Sequence, residues 1–417
     1  MLKPSILLLS AAASAALTAA PAASAWEESE ETPVSVVEIE QVQTSSVTSD
    51  MALDVSHYTA DAVSSSTAVG NAAAGLLKSG DIDLDVFQTL DGNVAAYNRV
   101  EGHAVGTGIA TTTAYGNSST GGTWMGTNFY RAEQTATGHV SADTQIRLRG
   151  ANQMVSTTTA IANVSVPADE YGTNRAFQKQ DSQGSVTATS DIDLCCVGTS
   201  GTFTTTAGGN AVSSTGLTST NFNGAVQTTS DGQRIMGVTD VYMGDGNDVL
   251  AASTSFGNSA TVHNEWGYAT LGRDGSELFQ ANASTVTSET YVTLDHWSGY
   301  ASATAYGVGN SGLITNVGSD TGLFANQENT GGIYTQASLT GQSMVGGNGV
   351  VNATSIGNAL TATLCNTCGD AVLQGGASQI NSGHVAAVGT AYTPNAGAIY
   401  GSATAVGNSA TYQSTGH

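Results

Sequence analysis

Small or apolar residues alternate strictly with polar ones in several nine-residue stretches of this chain. In the first, Val140, Ala142, Thr144, Ile146 and Leu148 share one face, and Ser141, Asp143, Gln145 and Arg147 share the other. The same frame returns as Val186, Ala188, Ser190, Ile192, Leu194, then as Ile235, Gly237, Thr239, Val241, Met243, and again as Val286, Ser288, Thr290, Val292, Leu294. Period-two alternation of this length predicts a half-buried β-strand. The inward set runs large, small, small, large, large, so a second wall is expected to come close at mid-strand, as in a flattened solenoid. The earliest and last parts of the chain show no clear copy of this frame.

Between these strands a second pattern repeats, Thr-Ala-x-Gly-Asn or a close variant. It begins at Thr67, Thr113, Thr159, Thr206, Thr254, Thr304, Thr354 and Thr404, and it ends on Asn71, Asn117, Asn163, Asn210, Asn258, Asn310, Asn358 and Asn408. In the sixth copy two extra residues delay the asparagine to Asn310. Successive threonine numbers differ by 46, 46, 47, 48, 50, 50 and 50. A near-constant period of this size marks a solenoid, a propeller or an array. Threonine and the apolar third position favour strand, and Gly-Asn is expected to turn the chain, because both residues tolerate positive φ. Stacked coils would bring the eight asparagines into register as a hydrogen-bonded ladder.

The expected fold is therefore all-β, a β-solenoid of about eight modules of 46–50 residues. Box and midway strand together suggest two coils of about 24 residues per module and a rod of roughly 70–80 Å. An array of β-sandwiches would need longer modules. An eight-bladed propeller fits the period but lacks its Trp-Asp signature.

Composition narrows the classes. Only 10% of residues are charged, five prolines interrupt the chain and 51 glycines favour turns over long helices. Ten Lys and Arg stand against 33 Asp and Glu, for a formal charge of −23. Nucleic acid is not an expected partner, since no basic footprint exists to neutralise phosphates. Residues 1–25 read as a secretory signal peptide, with Lys3, an apolar stretch and the Ala23-Ser24-Ala25 cleavage motif. Residues 26–50 read as an acidic flexible lead-in, and 51–417 as the repeat solenoid. No later stretch is apolar enough for a transmembrane helix.

Candidate chemistry is sparse. Cys195-Cys196 and Cys365-x-x-Cys368 are disulfide candidates in an exported chain, with a local Cys365–Cys368 bridge favoured over a long-range one. Zinc would need histidines that neither pair has nearby. Asp245, Asn247 and Asp248 lie in Gly-Asp-Gly-Asn-Asp, which resembles one calcium-binding nonapeptide without the tandem copies such sites need. The histidines are scattered, and Trp124, Trp266 and Trp297, which could stack on sugar rings, are expected instead to be residues of the β-core. No nucleophile elbow, phosphate-binding loop or dinucleotide fingerprint occurs, so no cofactor and no enzymatic activity are expected.

The exported, Gly/Ala/Ser/Thr/Asn-rich chain with its Thr-Ala-x-Gly-Asn boxes resembles the holdfast attachment protein D family across nearly its whole length. That resemblance implies a non-enzymatic, amyloid-like surface protein on the extracellular face of the outer membrane. Its implied partners are an adhesive polysaccharide, a curli-type outer-membrane secretion pore, other holdfast-anchor proteins and, by self-assembly, further copies of itself. The family brings no catalytic residues. A repeat adhesin that binds surfaces directly, or a β-helical polysaccharide-active enzyme, is the alternative reading.

Overall fold

The computed structural model describes residues 34–273, 277–342, 346–366 and 371–415. These residues form strands and connecting turns without a helix, and the strand pairings between successive coils are parallel. The expected signal peptide, residues 1–25, lies outside the described residues.

One coil illustrates all of them. A first strand, Asp81–Leu90, ends in the tight turn Asp91-Gly92-Asn93. The next strand, Val94–Trp124, is long and folds back on itself near residues 102–107. Its opening limb (94–102) continues the line of Asp81–Leu90. Its closing limb (108–124) runs antiparallel across both, as cross-layer contacts show. Thr112 meets Thr144 at 2.6 Å on one half, and Ser119 meets Tyr130 at 2.6 Å on the other. Each coil is thus a flat two-layer sandwich, with two short limbs facing one long limb. The chain then turns at Met125 and Gly126 into Thr127–Ala136, the first limb of the next coil.

Coils stack in register. Val94 pairs with Val140 and Val140 with Val186, and along the long limb Asn71 pairs with Asn117 and Asn117 with Asn163. Each of these steps is one whole module, so a module makes one coil and not the two expected. Two coils per module would set each box against a midway strand, burying Asn and Gly against unlike neighbours. In-register stacking sets like on like, which lets identical side chains bond along the stack. The short first limb occurs in eight ranks, from Val34–Gln43 to Leu373–Asn381, so the rod is about 38 Å long at roughly 4.8 Å per rank.

The acidic stretch expected to be a flexible lead-in belongs to the stack from Val34 onward. Val34–Gln43 pairs with Asp81–Leu90, and Val47–Val55 pairs with the limb that begins at Val94. Its glutamates face outward, Glu38 and Glu40 being exposed while Ile39 and Gln41 turn inward, so a high acid count is compatible with a strand. Both terminal coils have a strand at this place in the coil, but only the first, Val47–Val55, alternates; in the last, Val385–Tyr392, neither sequence nor burial alternates.

The interior divides along the coil. Val100, Ile146, Ile192, Val241 and Val292 fill one half with Met154 and Phe203, and a seam of Leu90, Val94, Val140, Val186 and Ile235 packs on alanines of the long limb. The inward set of the midway frame is buried throughout, with Ala142 at 1% and Thr144 at 0% exposure. Its small mid-strand residues meet the opposite wall, where Thr144 also lies 2.6 Å from Thr158.

The box does not turn the chain. Thr67–Asn71 and its copies lie in mid-strand on the long limb, and neither their glycines nor their asparagines have positive φ. Instead the strand changes phase there. Ala114 and Gly116 face inward, and so does the adjacent Asn117, after which alternate residues from Ser119 face inward. The box sits over the turn that joins the two short limbs. A Cβ on Gly116 would stand 2.4 Å from the Ala162 carbonyl oxygen and 2.9 Å from Leu90, so the close approach of the layers favours glycine at this position, although Ala162 fills it in the next coil. The corners lie elsewhere, one of them at Met125, Tyr171, Thr218, Trp266 and Gly318, all of which have positive φ. In the sixth coil the asparagine holds register. Asn310 pairs with Asn258, whereas Tyr306, not Thr304, takes the place of Thr254.

Candidate functional site

The eight box asparagines form one continuous ladder. Asn71 Nδ2 donates to Asn117 Oδ1 at 2.8 Å, and the chain of bonds continues through Asn163, Asn210, Asn258, Asn310 and Asn358 to Asn408 at 2.7–2.8 Å. The second proton of each amide goes across the interior to a backbone carbonyl of the opposite limb, as from Asn117 to Thr135 and from Asn163 to Asp181. Both protons are used, which is what a buried amide requires.

A second ladder, not anticipated from the sequence, faces it. Gln88 Nε2 donates to Gln41 Oε1 at 2.8 Å, and Gln134, Gln180, Gln227, Gln280, Gln327 and Gln379 repeat the contact at 2.7–2.8 Å. Each glutamine also bonds a carbonyl beside the asparagine column, as Gln134 does to Val164. The glutamines recur at the box period, and that recurrence was the available signal. The two ladders have opposite polarity: asparagines donate toward the C-terminal end and glutamines toward the N-terminal end. Both are structural, and their buried amides are closed to any ligand.

Other expected residues do not assemble into a site. Asp248 Oδ1 accepts from the Tyr300 amide at 2.9 Å, Asn247 Oδ1 from the Ser298 hydroxyl at 3.0 Å, and Asp245 lies 3.8 Å from His296 Nδ1. These groups serve the next coil at a bulge between Gly246 and Asp248. Among the described residues no three His, Cys, Asp or Glu gather as a metal site. Cys195 and Cys196 are thiols with sulfurs 2.8 Å apart, and the neighbouring sulfur pushes the Cys196 thiol up to about 11. Cys365 is a thiol on the long limb, and Cys368 lies outside the described residues. Trp297 is buried, with Gly341 and Gly346 packed on its ring, whereas Trp124 and Trp266 stand half-exposed at one edge.

The outer surfaces of the limbs differ in chemistry. The long limb shows mainly Thr, Ser and aliphatic side chains, including the box threonines. The second short limb is acidic, with Asp143, Asp191, Asp193, Asp240 and Glu289, and Arg147 bridges ranks to Asp191 at 2.8 Å. The first short limb is unlike both. Six of the eight phenylalanines, Phe87, Phe129, Phe177, Phe222, Phe279 and Phe324, turn outward on it. Four of the ten cations join them.

Arg175 lies over Phe222 at 4.9 Å, Arg273 over Phe324 at 5.4 Å and Arg131 over Phe87 at 5.6 Å. Tyr268 packs edge-on to Phe222 at 5.6 Å. Arg131 pairs with Glu133, which lies 3.9 Å from Lys179. Arginine stacked on a ring is held flat with its edge donors facing solvent. The sequence hid this face because outward positions follow no fixed residue type. Only register shows that Phe129, Arg175 and Phe222 are consecutive neighbours across three ranks.

Against known proteins, the family model described as holdfast attachment protein D matches residues 57–332, more than half of the chain. No curated protein and no solved structure matches it.

Proposed function

The chain belongs to the holdfast attachment protein D family, and from that membership we propose that it is a non-enzymatic anchor that holds an adhesive polysaccharide to the bacterial envelope. The family carries a role in holdfast attachment and an association with the cell surface. Export by the N-terminal signal, passage through a curli-type outer-membrane pore, residence on the outer membrane and contact with other anchor proteins belong to the proposal.

The observation that carries the reading at residue level is the phenylalanine and arginine face. Aromatic rings offer flat apolar platforms for the C–H faces of sugar rings, and adjacent guanidinium groups donate to hydroxyl or carboxylate oxygens. On a molecule of formal charge −23 this is also where a polyanion meets least repulsion. Repetition across ranks suits a repeating polymer, because many weak contacts add on one chain.

The test has two levels. Deleting the gene is expected to release intact adhesin into the medium, and adhesin retained on the cells would sink the anchoring role. In the deletion strain, a variant carrying Phe129→Ser, Arg175→Ser and Phe222→Ser should be displayed normally yet retain at least tenfold less adhesin. A variant with Thr157→Ser and Thr204→Ser on the long limb should retain it fully. Equal retention by both would remove the face from the reading.

A further inference from the structure

Three successive coils carry the triplet Thr-Thr-Thr on the long limb, at 111–113, 157–159 and 204–206, and strand pairing holds the triplets in register. The central threonine of each faces inward. Thr112 and Thr158 both meet Thr144 at 2.6 Å, and Thr205 meets Thr239 at 2.8 Å. With its centre fixed to the opposite layer, each triplet turns its two flanking side chains away from the protein. Thr111, Thr157 and Thr204 make one outward column, and Thr113, Thr159 and Thr206 make a second. Thr67 and Thr254 extend the second column by one rank on either side.

The columns form a regular mesh. Neighbouring ranks lie roughly 4.8 Å apart, and alternate residues along a strand roughly 6.7 Å apart. Threonine is stiff at χ1, so each hydroxyl and methyl group keeps its place. The limb beneath is braced as well. Sheets of many strands twist unless side-chain ladders oppose it, and the asparagine ladder of this limb repeats at 2.8 Å from Asn71 to Asn258. The protein uses few of the outward hydroxyls. Thr204 makes only 3.4 Å contacts, to Thr157 and to the Ser156 carbonyl. Thr111, Thr113, Thr159 and Thr206 have no side-chain hydrogen bond among the described residues.

The same layer carries no charge. Residues 62–77, 108–124, 154–168, 201–217, 249–264, 301–317 and 349–365, the long limbs of successive coils, contain no Asp, Glu, Lys or Arg. The whole molecule has a formal charge of −23. This neutral layer measures roughly 34 Å by 50 Å, about twice the area that one partner contributes to a standard protein interface.

Neutrality and periodicity together narrow the partner. An uncharged layer gives no attraction to ions or polyelectrolytes. The two columns hold no aromatic or arginine anchor of the kind a protein partner grips, and no ring on which a sugar could stack. They present groups that each donate and accept a hydrogen bond, interleaved with methyl groups that restrict the orientation of neighbouring water. The complementary surface is neutral, repeats in two directions, and donates and accepts throughout. Crystalline water has that chemistry, and the oxygen repeats on its prism faces are of the same order as this mesh.

We propose that the threonine mesh of the long limb is an ice-binding face, with the lattice of solid water as its partner. The anchoring role is not a premise of this inference, because the polymer is assigned to the phenylalanine and arginine face on the other layer.

The test freezes buffer slowly around the full chain and compares protein concentration in the ice with that in the remaining liquid. The parent is expected to enter the ice. Thr157→Lys should lower the ice-to-liquid ratio by about tenfold or more, because an ammonium group set into the contact loses its hydration. Thr111→Lys, one rank away, should lose as much, and it serves in place of Thr157→Lys if that variant fails to fold. Thr187→Lys makes the same change on the outer side of the second short limb and should partition as the parent does. All three positions point outward, so melting temperatures should match that of the parent.

A parent excluded from the ice overturns the proposal. Thr157→Lys and Thr111→Lys proteins that partition like the parent overturn it too, as does a loss caused by Thr187→Lys. Exclusion from ice with retention on microcrystalline cellulose would reassign the face to a carbohydrate solid. Exclusion from ice with dimers that Thr111→Lys abolishes in sedimentation would reassign it to a second copy.

Discussion

Asn117 Nδ2 lies 2.8 Å from Asn163 Oδ1 in an interior where both side chains are 0% exposed. These residues are 46 positions apart in sequence and one rank apart in space. Replacing Asn163 with alanine strands the Asn117 proton, the Asn210 oxygen and the Asp181 carbonyl that it now serves. Each orphaned buried group costs about 1–3 kcal/mol. Asn163→Ala is therefore expected to destabilise the fold by roughly 3 kcal/mol or more. Asn408→Ala, at the open end, should cost less than about 1 kcal/mol in the monomer. Chemical denaturation of the two variants side by side checks the contrast, and equal losses would contradict it.

Gly116 tests the closeness of the layers. Its Cβ would meet the Ala162 carbonyl and Leu90, both in positions fixed by other coils. Gly116→Ala is expected to destabilise by about 1–3 kcal/mol, the range for overpacking. On an exposed strand the same change would be neutral or favourable, because it restricts the unfolded chain. A melting temperature at or above that of the parent would show that the layers can separate at the box.

Gln178 is 0% exposed, yet neither its Oε1 nor its Nε2 has a hydrogen-bond partner. It sits between Ala132 and Ala225 in the stack, away from the glutamine ladder. Removing an unsatisfied buried amide while keeping its volume relieves a desolvation cost. Gln178→Met is expected to raise stability by about 1–2 kcal/mol, measured as a shift of the denaturation midpoint at unchanged slope. A loss of stability would show that the amide is satisfied in solution.

Asp169 gives the fold a pH dependence. Burial pushes its carboxyl up to about 7, against a weak 3.5 Å bond from Thr123 that acts the other way. The folded pKa exceeds the unfolded value, so between about pH 4 and 7 the folded state binds more protons at this site. Its effect is thus a stability that falls as pH rises through that window and levels off above about 7. Asp169→Asn should flatten this part of the profile and raise the melting temperature at pH 8 more than at pH 4. Identical profiles for parent and variant would contradict the assignment.

The sequence by itself determined the fold class, the period and the asparagine column. Each follows from local chemistry: alternation makes strands, and a residue that returns at a fixed interval in parallel stacked coils must face its own copies. The size of the coil was decided only in the tertiary structure, because one coil per module and two coils per module give the same sequence period. Facing distances separate them, such as Thr112 to Thr144 and Gln134 to Val164. The same ambiguity hid the place of the box. Gly-Asn permits a turn, but at Gly116-Asn117 the demand is for a small inward residue, glycine or the alanine of Ala162-Asn163, and an inward amide where the long limb crosses the seam between two short ones. The phenylalanine and arginine face was illegible for a different reason. Outward side chains have no core to satisfy, so their types drift from rank to rank. Their association exists only because register places Arg175 beside Phe222 and Lys179 beside Glu133.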